Sequence, residues 1–247
     1  MLNCHLYHLY GYKHYNSSRW DCNECKKFEI ILTKLYNAVN FLLTKENIMI
    51  LTDDAIRKLN VEKNLISPFN EDALQSESYD ISIGNEITVF NKNVRHIDLK
   101  KSDELDTLYS TSTIPESGFT IYPKEYVLVS LNETITLPDN ITAHIRPRTR
   151  FTRIGLIVSA QHCNSTYSGK LKVGIFNASE NAIVIASGIR IAQIVFEELK
   201  SVPSEEKQYR NKHSAAYQNE QEFRGYVVPT ELQNEVNKAV NFLLGKD

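Results

Sequence analysis

The residues best suited to chemistry in this sequence form an arginine cluster. Residues 144–156, HIRPRTRFTRIGL, contain four arginines within eight positions: Arg146, Arg148, Arg150 and Arg153. Over residues 140–179 there is no Asp or Glu, although acidic residues outnumber basic ones by 30 to 28 in the whole chain. A solvated basic strand face is the ordinary explanation of such a run. Because the planar guanidinium group binds phosphate oxygens in pairs, the local loss of every carboxylate favours an anion-binding site.

A second cluster of candidate ligands lies at the N-terminus, where the first 25 residues hold three of the four cysteines and three of the seven histidines. Two pairs with the spacings Cys-x3-His and Cys-x2-Cys resemble the ligand pairs of structural zinc sites. These residues are Cys4, His8, Cys22 and Cys25. His5 or His14 can replace His8 in such a set. Tyr and Trp residues are interleaved, so a poorly ordered tail or a packed aromatic extension remains open.

The elements that must position the arginines are predicted to be mainly β-strands. Residues 48–199 contain short runs rich in β-branched residues, separated by Asn, Gly, Ser and Pro: YVLVSL, KLKVGIF, AIVIA and IAQIVFEEL. This pattern predicts an all-β sandwich or barrel. Only a short helix over Asp53–Asn60 interrupts it, and nothing alternates with helices as in a parallel α/β sheet.

Helices are predicted at both ends of the chain. Apolar residues recur at helical spacing over residues 28–42 and again over 232–243. The six residues AVNFLL occur at both 38–43 and 239–244, either by shared helical composition or because the two helices dock on similar grooves. We therefore divide the chain into an N-terminal extension (1–47), a β domain (48–213) and a C-terminal segment with a terminal helix (214–247).

Composition excludes several classes of protein. The chain has 247 residues and a formal net charge of −2, so general attraction to nucleic acid is not expected. No apolar run approaches the ~20 residues of a membrane span, and the start lacks the features of a secretory signal. Unevenly spaced cysteines do not form a disulfide framework, so a cytoplasmic location is expected.

Several motifs, taken in order, resemble the dCTP deaminase branch of the dUTPase-like family over roughly residues 49–213. They are MILTDDAIRKLN, SPFNEDALQSESYDISIGNEI, RPRTRFTRIGL, YSGKLKVGIFN and GIRIAQIVFEEL. The resemblance implies a distorted β-barrel of jelly-roll (β-clip) type, here with added N- and C-terminal helices. It also implies a homotrimer with active sites shared between subunits. The implied ligand is a deoxynucleoside triphosphate, dCTP or dUTP, with Mg²⁺ on its phosphates.

The resemblance assigns a phosphate-binding set. Arg148 and Thr149 stand where the family's Arg-Ser pair holds phosphates, and Arg153 stands at a second family arginine. Gln193 matches a glutamine near the phosphates. Asp80 matches the acidic residue that helps to hold magnesium in the dUTPase branch.

Other residues are assigned to the sugar and to closure of the site. Tyr167 matches the aromatic residue packed against the deoxyribose. Tyr209 and Arg210 resemble the tail that closes over the triphosphate. Asn164 lies in the hairpin where the dUTPase branch has its water-activating Asp, and it stays a candidate nucleotide-binding residue.

The sequence departs from the family at the proton-transfer residue. The deaminase branch places a Glu five residues after the Tyr-Ser-Gly turn, and here that position is Gly174. Neither Gly174 nor Asn164 can act as a base near neutral pH. The remaining catalytic candidates nearby are His162 and Arg153, and His144 is the other histidine candidate of this segment. A glycine inside a strand also usually marks a bulge or close backbone approach, so another group is expected in the space of the Glu.

These observations predict a nucleotide-binding protein that is catalytically impaired and acts as a regulator or sensor. One alternative is an active dCTP deaminase or dUTP nucleotidohydrolase that uses a replacement base. The other is a structural or interaction protein with a vestigial pocket.

Overall fold

The computed structural model describes residues 33–34, 49–94, 96–99 and 107–244. The candidate zinc ligands Cys4, His8, Cys22 and Cys25 and the first AVNFLL copy lie outside these residues, as does the predicted N-terminal helix apart from residues 33–34. The zinc prediction and the three-part division of the chain therefore stay predictions.

Short antiparallel strands dominate the described residues. The strands are β1 (Met49–Ile50), β2 (Ile66–Ser67), β3 (Tyr79–Phe90), β4 (Tyr109–Thr113), β5 (Phe119–Ile121), β6 (Tyr126–Thr136), β7 (Ile141–Pro147), β8 (Leu156–Val158), β9 (Gln161–Cys163), β10 (Ser168–Asn177), β11 (Ile183–Ile185) and β12 (Arg190–Glu198). The helices are α1 (Asp53–Lys63), the one-turn α2 (Thr149–Thr152) and α3 (Thr230–Leu243). The mainly β prediction is confirmed.

Ten strands form one curled sheet in the described part of the chain. Its main order is β8-β10-β6-β3-β12-β7-β9, while β1 pairs with β12, β2 with β6 and β4 with β3. Strands β5 and β11 form a separate pair. The sheet therefore has the half-barrel shape expected for the predicted β class.

Alternation along the strands decides which side chains can reach a ligand. In β7, Ile141, Ala143 and Ile145 are buried in the core, whereas His144 and Arg146 project from the opposite face. Each fully buried Ile of this kind stabilises the fold by roughly 1.5–3 kcal/mol. The core thus fixes the outward direction of the arginine-bearing strand.

The helices agree with the sequence pattern in position but differ in length. Helix α1 begins at the predicted Asp53 and continues to Lys63, where Asn64 ends it in the left-handed conformation (φ 52°). Asn tolerates that conformation better than most residues, which explains the ending. The second AVNFLL copy overlaps the end of α3, and Phe242 and Leu243 are exposed there. Within the described residues, no helix is long and apolar enough to cross a membrane.

Candidate functional site

Two of the predicted ligand-binding residues, Asp80 and Gln193, lie side by side on neighbouring strands. Gln193 of β12 is paired with Asp80 of β3 on one side and with Arg146 of β7 on the other. Directly paired residues point to the same face of a sheet. This row, defined by Asp80, Gln193 and Arg146, is therefore continuous across the strands, and Arg148 follows at the end of β7.

Arg148 is held by an ion pair. Its Nη1 atom lies 2.8 Å from Oδ2 of Asp80, whose side chain is only 2% exposed. Burial raises the pKa of Asp80, and the positive charge of Arg148 opposes that rise. A buried carboxylate needs such a partner because desolvation of an unpaired charge is costly. The ion pair fixes the start of the arginine cluster.

The ion pair with Arg148 also affects the predicted role of Asp80 as a magnesium ligand. Asp80 points at Arg148, and no group of three His, Cys, Asp or Glu side chains in the described residues is placed to hold a metal ion. Mg²⁺ is commonly bound through one or two carboxylates and the phosphates of its ligand. The protein side chains of this row do not by themselves fit a resident metal site.

The rest of the arginine cluster surrounds the one-turn helix α2. Thr149, Arg150 and Arg153 are all exposed there, while Phe151 packs against the core. The described residues include no ion pair for either exposed arginine. The turn therefore presents two free guanidinium groups beside Arg148.

A second predicted group lines a cleft of about 560 Å³. His162, Asn164, Tyr167 and Tyr209 are on its walls, whereas Arg148, Thr149, Arg153, Gln193 and Arg210 are not among its lining residues. Six of the other 14 lining residues are aromatic. They are Phe90, Tyr109, Tyr126, Tyr217, Phe223 and Tyr226. Such a surface suits a planar ring, because aromatic rings stack on one another.

Tyr167 is the most deeply placed of the predicted ligand contacts. It is 4% exposed, and its ring centroid lies 5.9 Å from that of Tyr209. Its hydroxyl group has no hydrogen-bond partner within the described part of the chain, which is unusual for a buried polar atom. Burial raises the pKa of Tyr167, so the group stays protonated near neutral pH.

Tyr126 occupies the space that a side chain at position 174 would need. A Cβ atom added to Gly174 would lie 2.6 Å from Cζ of Tyr126 and closer still to its hydroxyl oxygen. Strand pairing produces this contact: Gly174 is opposite Leu128, and Tyr126 lies two residues away on the same face of β6. The group that fills the space of the family's Glu side chain is therefore the phenol ring of Tyr126.

Gly174 is held in place by two hydrogen bonds with Ser159. Its N–H donates to Oγ of Ser159 at 2.9 Å, and its carbonyl accepts from the Ser159 N–H at 2.8 Å. Tyr126 also packs against Phe90, with ring centroids 5.6 Å apart. Burial raises the pKa of Tyr126, so its hydroxyl group is not a ready base.

The part of the chain that follows Leu199 covers one side of the cleft. Tyr209 contributes its ring, while the Arg210 backbone N–H donates to Oγ1 of Thr166 at 3.1 Å and its side chain is exposed. Further along, Phe223 packs edge-on against Tyr109 at 5.0 Å. The stretch after Leu199 is polar in sequence, yet through these contacts it forms a wall of the cleft.

This segment also brings a carboxylate that sequence reasoning missed. Glu220 is 3% exposed, lines the cleft and accepts a hydrogen bond from the Arg224 N–H at 2.8 Å. Burial raises the pKa of Glu220. Gly169 permits the approach, because a Cβ atom there would lie 3.0 Å from the backbone N and O of Glu220. The only local sign of this approach in the sequence was the glycine of the Tyr-Ser-Gly turn. In the structure this Gly169 has a φ of 152°.

Lys172 is the second ionisable residue of the cleft that the sequence pattern did not single out. Its ammonium group donates to Oγ of Ser130 at 2.9 Å and to the Gln221 carbonyl at 3.1 Å. Oε2 of Glu86 lies 3.6 Å away. Burial lowers the pKa of Lys172. These contacts tie the C-terminal segment to β10 and β6.

The histidine candidates pair with each other at the rim. His162 is exposed, and its ring centroid lies 4.8 Å from that of His144. Burial lowers the pKa of His144, and Glu197, whose Oε2 is 3.8 Å from Nε2, opposes that fall. His162 thus lies beside β7 and has no carboxylate orienting it among the described residues.

Comparisons with known proteins found similarity to dCTP deaminases. Residues 50–199 match the family model described as dCTP deaminase-like. The chain is 34% identical over 171 residues to a dUMP-forming dCTP deaminase of Sulfurihydrogenibium sp. (strain YO3AOP1), a match that covers 67% of this chain and 91% of that protein. It is 29% identical over 160 residues to a dCTP deaminase of Haloarcula marismortui, covering 62% of this chain and 82% of that protein.

The fold has a counterpart among solved structures. The 2′-deoxycytidine 5′-triphosphate deaminase of Agrobacterium tumefaciens superposes with a TM-score of 0.50 at 21% sequence identity. That match covers 61% of this chain and 48% of the other, so this chain corresponds to about half of that structure. At this identity the likeness concerns the fold alone.

Proposed function

The chain belongs to the dCTP deaminase-like family, and from that premise we propose that it binds dCTP or dUTP without efficient turnover and acts as a regulator or sensor. The observation that carries this proposal is the contact between Tyr126 and Gly174. Hydrolytic deamination needs a group that takes a proton from water and returns it to the ring and the leaving ammonia. A glycine covered by a protonated phenol does not supply that group.

The expected loss of rate is large. A positioned general base contributes typically 10²–10⁴-fold. The ring of Tyr126 also fills volume that a carboxylate and its water would need. Both effects act in the same direction, so we expect turnover near background.

The binding half of the proposal rests on two surfaces. The outward face of the sheet supplies positive charge from Arg146 and Arg148 and an amide group from Gln193 for binding phosphates. Each charged hydrogen bond contributes ~1.5–3 kcal/mol. The aromatic cleft supplies stacking surface for the base and sugar, with Tyr167 on its wall. We propose a homotrimer in which a neighbouring copy completes each site, and Mg²⁺ that arrives with the phosphates.

The test measures binding and product on the same protein. Isothermal titration with dCTP and dUTP should detect binding, and Arg148→Ala should weaken it by ~2–3 kcal/mol because a charged hydrogen-bond donor is lost. Product analysis by chromatography should find neither dUTP nor dUMP above background. Turnover of ~1 s⁻¹ or more would contradict the proposal. Absence of nucleotide binding would leave only a structural or interaction role.

A second candidate function, an active enzyme with a replacement base, is favoured by one observation. Glu220 is a buried cleft carboxylate, and burial raises its pKa, as is common for catalytic acids and bases. If the wild-type protein deaminates dCTP, Glu220→Gln should reduce kcat at least 100-fold, while His162→Ala should change it little. Equal activity of Glu220→Gln and wild type would exclude this base.

A further inference from the structure

Arg146 and Arg148 have different electrostatic surroundings. Nη1 of Arg148 lies 2.8 Å from Oδ2 of Asp80, so part of that guanidinium group is engaged within the protein. Arg146 is exposed, and the described residues place no carboxylate within ion-pair distance of it. All donors of Arg146 are therefore available to an external anion, whereas Arg148 can offer only the donors that Asp80 leaves free.

The direction of Arg146 is fixed by the sheet. Its neighbours Ile145 and Pro147 flank it on β7, and Ile145 is fully buried, so Arg146 must project outward. The strand register places Gln193 directly beside it. An arginine and an amide held side by side on rigid strands offer a built set of donors for phosphate oxygens.

The charge of this face is unbalanced. No acidic residue occurs over residues 140–179. Asp80, the acid of the row, is buried against Arg148, and Glu197 lies further along the face beside His144. An approaching anion therefore meets Arg146 without a competing carboxylate nearby.

We infer that Arg146 is a phosphate-binding residue, and that Arg146 with Gln193 and Arg148 forms a site for the polyphosphate chain of the ligand. Position 146 is absent from the residues that the family resemblance assigns. The inference deepens the proposed function and rests on it for the identity of the ligand. The same chemistry would bind a nucleoside triphosphate or a free inorganic polyphosphate.

The experiment compares wild type, Arg146→Ala, Arg146→Lys and the control Lys58→Ala by isothermal titration. Lys58 is exposed on α1, so its replacement removes the same charge outside the site. The ligands are dCTP, inorganic tripolyphosphate and deoxycytidine. We expect Arg146→Ala to weaken dCTP and tripolyphosphate binding by about 10- to 100-fold. Arg146→Lys should recover part of the affinity, since it keeps the charge and loses the paired donors.

The outcomes separate the inference from the proposed function. Arg146→Ala within twofold of wild type for both phosphate ligands would overturn the inference while leaving nucleotide binding intact. Binding of tripolyphosphate but not dCTP, with loss in Arg146→Ala, would support the site and overturn the nucleotide proposal. No binding of either ligand by wild type would overturn both. Circular dichroism of each variant confirms that the fold is retained.

Discussion

A Cβ atom at position 174 should conflict with Tyr126, and the size of that conflict can be worked out from the structure. The distance from such an atom to Cζ of Tyr126 would be 2.6 Å, whereas real Cβ atoms essentially never approach within 3.0 Å. Overpacking typically costs about 1–3 kcal/mol. The conflicting atoms are the end of the Tyr126 ring, which is 42% exposed and can shift in part, so the cost lies in the lower half of that range, about 1–2 kcal/mol. Glycine inside a strand is otherwise about 0.5–1 kcal/mol worse than alanine. Gly174→Ala should therefore destabilise the wild type by up to ~1.5 kcal/mol but stabilise a protein that lacks the Tyr126 ring.

The measurement is a double-mutant cycle in urea with Gly174→Ala, Tyr126→Ala and their combination, followed by circular dichroism. We expect a coupling free energy of about 1–2 kcal/mol, within the range found for residues in contact. Tyr126→Phe serves as an intermediate variant, because it removes the closest contact, that of the hydroxyl oxygen, and keeps the contact with Cζ at 2.6 Å. Additivity of the two substitutions within ~0.5 kcal/mol would refute the contact.

The contact with Tyr126 also affects any attempt to introduce the family's Glu at position 174. Gly174→Glu alone must expel Tyr126 before its carboxylate can enter the cleft. Tyr126→Ala combined with Gly174→Glu is expected to gain more dCTP deamination than Gly174→Glu alone, measured as ammonia release. Higher activity of the single variant would contradict the explanation.

Three further predictions concern other parts of the molecule. Arg148→Met should destabilise the fold by ~2–4 kcal/mol at pH 7, because Asp80 loses its partner. The pKa of Asp80, which burial already raises, should then rise further, so the folded state binds a proton more tightly than the unfolded state. The lost stability should therefore return as pH falls through that pKa, as measured by urea unfolding at several pH values. Light scattering at micromolar concentration should give the mass of a trimer, and a monomer would refute the shared site. If Cys4, His8, Cys22 and Cys25 bind zinc, purified protein should carry about one equivalent that Cys22→Ser removes, and folded metal-free protein would end that hypothesis.

The sequence predicted the elements well because local patterns determine them. Alternating β-branched residues marked β6 and β10, and both formed strands over the expected residues, each somewhat longer than the apolar run itself. The start of α1 at Asp53 was also predicted. Hydrophobic periodicity depends only on neighbours along the chain, so it is readable without the fold.

The sequence also located the arginine cluster and the glycine that stands at the family's Glu position. The arginine cluster is visible as a run of like charges, and Gly174 is identified by its spacing from the Tyr-Ser-Gly turn. Both features lie within short stretches of chain, where residue type and spacing are enough.

Only the tertiary structure decided what surrounds those residues. Tyr126 covers Gly174 because β6 and β10 pair in one particular register, and nothing local to either strand specifies that register. Glu220 enters the cleft because the C-terminal segment folds back against Gly169. Asp80 binds Arg148 because two strands separated by β12 bring a buried charge beside its partner. Contacts between distant segments depend on chain pairing and on the cost of burying charge, and neither quantity is written in local residue patterns.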